Sequence, residues 1–276
     1  MSAANPEMLG VFDSGVGGLS VLNSIAAAGV NLPTLYVADQ ANVPYGGRPL
    51  DQIRNYAAAI CRALVRAGCT HIVMACNISS AVAYEIVRAE HRNLIVIGVI
   101  EPGAAAAARL ETNRVAVLAT KGTVESQAYR QAFHRIDPGI EVGELACPEL
   151  VPLVEAGVTT GEEAVVAARM RMAQVQSYGA RTVVLGCTHY PFLLPVLRAA
   201  APEVRFVDPA EATAQLLRSY VSLNNGGPQH VRRLITTGSR HTLQKQAAAM
   251  MNGTDFTVAE AVWKGDELLL PVGLPT

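Results

Sequence analysis

The segments HIVMACN (71–77) and TVVLGCT (182–188) follow one plan. Each is a run of apolar, largely β-branched residues that closes with a cysteine and a small polar residue. Such a run predicts a short buried strand, and the cysteine then stands where the strand ends and the next helix begins. Cys187 follows Cys76 by 111 positions.

A second pair of segments repeats at nearly the same interval. GVFDSG (10–15) and VAVLATKGT (115–123) each predict a strand that ends in a polar turn. Thr120 follows Asp13 by 107 positions, close to the interval between the two cysteines. The sequence therefore predicts two similar halves, each with a polar turn and a cysteine at the carboxyl ends of parallel strands.

Short apolar runs alternate with helical patterns along the chain. The runs predict strands at 8–12, 34–37, 71–75, 94–99, 115–119, 182–186 and 205–207. The helical patterns lie at 18–27, 50–67, 80–90, 126–133, 161–178 and 210–223, and the alanine run at 104–108 predicts one more. This alternation is typical of an α/β protein whose parallel sheets are covered on both faces. Such sheets bind ligands at their carboxyl ends, so we expect the two cysteines to face each other across a cleft.

The composition limits the classes of partner. Half of the 276 residues are hydrophobic and 16% are charged, enough for a substantial core. A formal net charge of −1 gives no general attraction to nucleic acid or to an anionic membrane. The apolar runs are too short to span a bilayer, and residues 1–7 lack the pattern of a signal peptide. We therefore expect a soluble cytoplasmic protein with no nucleic-acid or membrane partner.

The five cysteines contain no C-x-x-C pair, which argues against a zinc site and suits a reducing compartment. Cys61 and Cys69 fall in or just after a helical pattern, where a buried cysteine serves as a small apolar residue. Cys76 and Cys187 differ, because a helix N-terminus lowers the pKa of a thiol. Two thiols without disulfide or metal spacing suit proton transfer. The residues thus predict an acid–base cysteine pair and no metal.

Three further residues deserve a prediction of their own. Asp13 is a carboxylate at the end of a buried strand, able to take a proton from a neighbouring thiol. The glycines that follow it in DSGVGG (13–18) predict a tight turn but do not match the dinucleotide-binding fingerprint. His189 lies two residues beyond Cys187 and is a proton partner for that thiol, since imidazole titrates near neutrality. Glu155 reads by itself as a solvated loop residue.

Four motifs together resemble those of the glutamate racemases. They are DSGVGG (13–18), PYG (44–46), ACN (75–77) and GCTHYP (186–191), in that family's order and at its spacing. The likeness continues at 101–103, 120–123, 147–155, 211–213 and 236–239. It covers nearly the whole chain, and GCTHYP is the most specific of the motifs.

The resemblance implies a fold and an activity. The fold would be two flavodoxin-like parallel-sheet domains related by a pseudo-twofold axis, with the active site between them. One domain would combine 1–98 with 208–276, and the other would be 99–207. The protein would be a homodimer that interconverts L- and D-glutamate without a cofactor and supplies D-glutamate for peptidoglycan.

The resemblance also implies roles for single residues. Cys76 would remove the α-proton of D-glutamate and Cys187 that of L-glutamate. Asp13 would assist Cys76, His189 would assist Cys187, and Glu155 would be a further acidic residue near the second cysteine. The predicted substrate contacts are Asp13, Ser14, Pro44, Tyr45, Gly46, Asn77, Ile78, Thr120, Thr123, Thr188 and His189.

One position departs from the family's pattern. Ile78 stands where the family usually has a threonine, so a hydroxyl that would meet the substrate is missing. Two alternatives stay open at this point: an aspartate racemase or other two-cysteine isomerase, and a non-catalytic amino-acid-binding protein in which Ile78 marks lost activity. The motifs GCTHYP and PYG argue against the first alternative. The presence of both cysteines, Asp13 and His189 argues against the second.

Overall fold

The computed structural model of the protein describes residues 7–110, 112–221, 232–251 and 255–271. Parts of several sequence predictions lie outside the described residues: most of the N-terminal segment 1–7, the end of the helix predicted at 210–223, the stretches 1–6, 222–231, 252–254 and 272–276 of the first predicted domain, and position 111 of the second.

The described chain alternates strands and helices. In order it forms β1 (Leu9–Asp13), α1 (Leu19–Ala27), β2 (Thr34–Ala38), α2 (Leu50–Arg66), β3 (His71–Met74), α3 (Asn77–Glu90), β4 (Ile95–Gly98), α4 (Ile100–Ala108), β5 (Arg114–Ala119), α5 (Lys121–Ser126), α6 (Ala128–Ile136), β6 (Glu141–Ala146), α7 (Leu150–Glu155), α8 (Glu162–Tyr178), β7 (Thr182–Gly186), α9 (Leu194–Ala200), β8 (Arg205–Val207), α10 (Pro209–Arg218), β9 (Arg232–Thr236), α11 (Arg240–Met250), β10 (Phe256–Glu260), β11 (Val262–Lys264) and β12 (Glu267–Leu269). Short 3₁₀ helices lie at Tyr45–Gly47 and Tyr190–Leu193. None of the helices in the described ranges is long and apolar enough to cross a membrane.

Two parallel sheets carry the fold. The first has the strand order β10-β9-β2-β1-β3-β4 and the second β6-β5-β7-β8, and β11 pairs with β12 in a separate antiparallel hairpin. The order β2-β1-β3-β4 in the first sheet is repeated by β6-β5-β7-β8 in the second, and it is the order of flavodoxin-like sheets. The predicted fold class is therefore confirmed, and the internal repeat in the sequence corresponds to a repeated strand order.

The central strands explain why the sheets form. All five residues of β1 and all five of β7 are buried. Because helices cover both faces, these strands carry no polar alternation and bury apolar side chains on each side. Helix α2 packs Ile53, Ile60 and Leu64 inward together with a run of small buried residues, and exposes polar positions such as Asp51.

The chain passes between the two sheets at equivalent places. After β4 it enters α4, which packs against α6 and β7 of the second sheet. After β8 it enters α10, which packs against α1 of the first sheet. The sheets therefore exchange helices, and α4 and α10 contact each other where they cross. The division into domains at 1–98 plus 208–276 and 99–207 stays a prediction.

Several elements differ from the sequence predictions. The helix expected at 126–133 corresponds to α6, which begins at Ala128; the separate helix α5 precedes it and was not predicted, and Gln127 between the two has a left-handed backbone (φ 56°). Strand β6 escaped notice because Glu141 and Glu144 interrupt its apolar pattern, as expected of a strand at the edge of a sheet. Strand β9 begins with two arginines, which hid it in the same way.

Candidate active site

A cavity of about 250 Å³ lies between the carboxyl ends of the two sheets. It is lined by Ser14, Pro44, Tyr45, Gly46, Gly47, Cys76, Asn77, Ile78, Thr120, Lys121, Thr123, Pro148, Val151, Pro152, Cys187, Thr188 and His189. Every predicted site residue is in this lining except Asp13 and Glu155, which stand behind it. The structure thus brings the predicted residues to one place, while their roles stay predictions.

Cys76 lies at the carboxyl end of the first sheet, between strand β3 and helix α3. It follows β3, caps the N-terminus of α3 and is 5% exposed. Burial, with a further contribution from the negative charge of Asp13, raises the pKa of its thiol to about 12. The hydroxyl and backbone N–H of Ser79 act in the opposite direction and lower it. With its pKa raised, Cys76 is a protonated thiol near neutral pH and needs a proton acceptor to become a thiolate.

Cys187 occupies the equivalent place after β7 and has a different partner. Its Sγ lies 3.7 Å from Nδ1 of His189, and Nε2 of the same ring lies 2.7 Å from Oε1 of Glu155. Burial alone lowers the pKa of His189, but its hydrogen bonds to Cys187 and Glu155 raise it well above the usual value. Burial opposes the charge of Glu155, yet the bond to His189 lowers the pKa of this carboxyl. The geometry favours an imidazolium held between a carboxylate and a thiol.

The structure corrects the interpretation of Glu155 as a solvated loop residue. It is the last residue of α7 and is half-buried against His189. The prolines at 148 and 152 made the segment resemble a loop, and a six-residue helix leaves little periodicity to detect.

Asp13 joins the two halves of the site. It ends β1, is fully buried, and accepts hydrogen bonds from the backbone N–H of Gly15 (3.0 Å) and the hydroxyl of Thr188 (3.1 Å). Burial raises the pKa of this carboxyl, although His189 and the two donors offset part of the effect. A carboxyl with a raised pKa beside a buried thiol is suited to accept and return that thiol's proton.

The glycine-rich turn after Asp13 exists because other side chains come very close to it. A Cβ built on Gly17 overlaps the Thr188 hydroxyl and lies 2.5 Å from Nδ1 of His189. A Cβ on Gly15 lies 2.6 Å from Oε1 of Glu155. These glycines allow the second half of the site to approach the first.

Four of the predicted substrate contacts differ in whether their polar groups already bind another part of the protein. The hydroxyls of Thr120 and Thr123 lie 3.0 Å apart on the cavity wall, where they are able to meet a ligand together. Tyr45 and Asn77 have polar groups that are already engaged: the Tyr45 hydroxyl donates to Asp39, and Asn77 accepts from Tyr129. The Tyr45 hydroxyl is therefore committed elsewhere, and this residue offers the cavity its ring and backbone.

Ile78 presents an apolar side chain to the cavity. It is 3% exposed and packs with Tyr45, Ile53 and Cys76. A Cβ built on Gly122 lies 3.3 Å from Cδ1 of Ile78. The side chain therefore fills the gap between α3 and α5 at the cavity wall instead of facing away from it.

Sequence reasoning missed five lining residues: Gly47, Lys121, Pro148, Val151 and Pro152. Lys121 could have been predicted, because it lies inside the motif at 120–123. Its ammonium group is 3.5 Å from Glu125 and mostly exposed. The prolines and Val151 carry no chemical signal and close the cavity by shape.

The described residues contain no group of three or more His, Cys, Asp or Glu side chains arranged to hold a metal ion. What the cavity offers is two buried thiols on separate walls, each with its own proton partner. Such an arrangement is able to move protons to and from two faces of one bound carbon atom.

Comparisons with known proteins give the class. Residues 14–217 match the Asp/Glu/Hydantoin racemase family. A glutamate racemase of Shouchella clausii is 39% identical over 249 residues, covering 88% of this chain and 90% of that protein. The crystal structure of a Francisella tularensis glutamate racemase in complex with D-glutamate superposes with a TM-score of 0.86 at 27% identity, over 95% of this chain and 98% of the other. An aspartate racemase homologue of Pyrococcus horikoshii shares the fold alone, with a TM-score of 0.55 and 17% identity.

The fold and these matches define an isomerase of the α/β class, an amino-acid racemase. The chain belongs to the Asp/Glu/Hydantoin racemase family, and several glutamate racemases match it at 39–44% identity over 76–88% of its length.

Proposed function

We propose that this protein interconverts L- and D-glutamate by a two-base mechanism in which Cys76 and Cys187 act on opposite faces of the α-carbon. The observation that carries the proposal is the pair of buried thiols on one cavity, one beside Asp13 and the other in contact with His189. Similarity to glutamate racemases over most of the chain supports glutamate as the substrate.

The reaction from D- to L-glutamate needs one thiolate and one thiol. Asp13 accepts the proton of Cys76, and the resulting thiolate removes the α-proton. Cys187 then donates its proton to the opposite face of the carbon. The thiolate left on Cys187 is stabilised by the imidazolium of His189, which Glu155 holds in place. The reverse reaction runs through the same groups in the opposite order.

The α-proton of an amino acid is far less acidic than a thiol, so the site must stabilise a carbanion-like state. In this protein the means are hydroxyl, amide and backbone donors at the cavity wall, among them the hydroxyls of Ser14 and Thr120. Preorganised donors in a closed cavity stabilise developing charge better than water does, because they need no reorganisation. Exclusion of water also prevents protonation of the carbanion-like state by solvent.

The proposal includes the wider setting. It takes the active protein to be a cytoplasmic homodimer that needs no cofactor and supplies D-glutamate for peptidoglycan. The absence of dinucleotide and metal motifs from the sequence supports the cofactor-independent reaction.

The test is direct. Protein dialysed exhaustively against a chelator is incubated with L-glutamate, and the circular dichroism of the solution is followed without pyridoxal phosphate, metal or nucleotide. We expect the optical signal of glutamate to fall to zero, and that of L-aspartate to persist under the same conditions. Racemisation of aspartate alone would establish the first alternative. Binding of glutamate without loss of the signal would establish the non-catalytic one.

A further inference from the structure

Asp39 is a fully buried carboxylate outside the cavity that gathers four side-chain donors. It follows β2 and accepts hydrogen bonds from the Tyr45 hydroxyl (2.5 Å), the Thr237 hydroxyl (2.7 Å), the Trp263 indole N–H (2.8 Å) and the Asn42 amide (3.0 Å). No lysine, arginine or histidine of the described ranges forms an ion pair with it. A buried carboxylate without a cation depends on its donors, so this arrangement is costly to disturb.

Two of the donors, Asn42 and Tyr45, are near Asp39 in sequence, whereas Thr237 and Trp263 belong to the last part of the chain. Tyr45 lines the cavity, whereas Trp263 belongs to the hairpin β11–β12, which lies beyond the part of the chain that matches the family. The ring of Tyr56 connects them a second time, with its centroid 5.7 Å from that of Tyr45 and 5.3 Å from that of Trp263. The hairpin is therefore joined to the cavity wall by a hydrogen-bonded path and by an aromatic one.

The turn at Tyr45–Gly47 also touches the second sheet's half of the site. A Cβ built on Gly46 lies 2.7 Å from Cβ of Thr120. Tyr45 itself packs with Cys76 and Ile78. Any shift of this turn therefore changes the width of the cavity between the two halves.

We propose that Asp39 and Trp263 are positioning residues: through the Tyr45 hydroxyl they hold the turn at Tyr45–Gly47 at the distance from Thr120 that substrate binding requires. The hairpin β11–β12 thereby becomes part of the machinery that sets affinity for the substrate, although it does not reach the cavity. This inference rests on the proposed racemisation of glutamate.

The primary test is Trp263→Phe, which keeps an aromatic ring beside Tyr56 and removes only the N–H donor to Asp39. We expect KM for both enantiomers of glutamate to rise about tenfold and kcat to change by less than about twofold, the pattern of lost ground-state positioning. Tyr45→Phe, which removes the other end of the path, should raise KM similarly. Because both variants release the same turn, the double variant should raise KM by less than the product of the two single effects. Lys264→Ala, on the exposed side of the same hairpin, is the control and should match the wild type.

A purely structural role for Trp263 gives another pattern. It would lower the thermal midpoint and the active fraction, and so the apparent kcat, while KM stays at the wild-type value. That result, or a KM within twofold of wild type in a well-folded Trp263→Phe, would overturn the inference.

A substrate-free measurement separates this inference from the proposed function. In Asp39→Asn and Trp263→Phe, a released turn should expose the Cys76 thiol and speed its alkylation by iodoacetamide, located by peptide mass spectrometry, at least about threefold. If the wild type does not racemise glutamate, the proposed function fails, and this alkylation rate still decides the positioning role. An unchanged rate in both variants would count against it.

Discussion

The two sides of the cavity, one with Cys76 and the other with Cys187, have the same strand arrangement but different proton partners. Cys76 and Cys187 follow equivalent strands in sheets of the same order. Two residues beyond Cys187 stands His189, in contact with the sulfur, whereas two residues beyond Cys76 stands Ile78, an apolar wall. The first half of the site instead takes its proton partner from the neighbouring strand end.

That neighbouring strand end differs in the opposite sense. β1 ends in Asp13, whose charge acts on the Cys76 thiol, while β5 is followed by Thr120, whose hydroxyl contacts Thr123. Each half therefore carries one titratable partner and one ligand-facing wall, at exchanged positions. The strand arrangement is repeated, but the proton partner lies at a different position in each half. This gives a nearly symmetric site for a reaction that must proceed in both directions.

The largest effect expected comes from removing either thiol. Cys76→Ala and Cys187→Ala should each lower racemisation by about 10²- to 10⁴-fold, the range for loss of a positioned acid or base. Enantiomers have the same free energy in water, so kcat/KM must fall equally in both directions and cannot tell the halves apart. Exchange of the α-proton with ²H₂O can distinguish the two halves, because each variant keeps one of the two thiols. Cys187→Ala should exchange the proton of D-glutamate only, and Cys76→Ala that of L-glutamate only, as read by proton NMR. Exchange of the same enantiomer by both variants would break the comparison.

The close approach of the halves is tested by Gly17→Ala. The added methyl group overlaps Thr188 and presses on His189, so we expect a loss of roughly 10- to 100-fold in kcat/KM, since small displacements of catalytic groups have large effects. Steady-state kinetics measure this. Gly139→Ala, where the added methyl meets only the flexible Asp137 side chain, is the control and should be unaffected. Equal rates for the two variants would show that the approach at Gly17 does not matter.

The two halves also differ at Ile78, which lies where the other half has His189, and a matched pair of variants isolates the effect of a hydroxyl at position 78. Threonine and valine have nearly the same shape, so the ratio of Ile78→Thr to Ile78→Val in kcat/KM reports the hydroxyl alone. We expect Ile78→Thr to exceed Ile78→Val by about tenfold, as for a hydrogen bond to a charged group. A ratio near one would mean that the side chain at 78 serves packing only.

The last prediction concerns stability, not activity, at the two places where the chain passes between the sheets. Asp208 caps α10 with its side chain, whereas α4 has no side-chain cap. Burial raises the pKa of Asp208 from 3.8 to about 6, so the folded state binds more protons than the unfolded state between these values and stability falls as pH rises through this window. Asn caps a helix equally well and carries no charge. Asp208→Asn should therefore be more stable at pH 8 by about 2–3 kcal/mol, and unchanged near pH 3. Thermal unfolding at both pH values checks this, and equal midpoints at pH 8 would contradict it.

The sequence predicts the frame of this molecule well and the remote contacts poorly. The strands β1, β3, β5 and β7, which lead to the site, are within about a residue of their predicted bounds, because buried parallel strands are continuous apolar runs. The same motifs place most of the cavity lining. The contacts of Glu155 and Asp39 were not predicted. Their hydrogen bonds to His189 and Trp263 join residues that are far apart in sequence, and no sequence pattern links such residues.

The central claim is that two different thiols serve the two faces of the substrate. It is tested most directly by incubating wild-type protein with L-glutamate in ²H₂O and measuring the isotope at the α-carbon of each enantiomer during the first few per cent of reaction. The account predicts that the D-glutamate formed carries deuterium while the remaining L-glutamate keeps its proton, because the thiol that donates is not the thiol that accepts. D-glutamate that retains the original proton would contradict it, since that result requires one group to carry the proton from face to face.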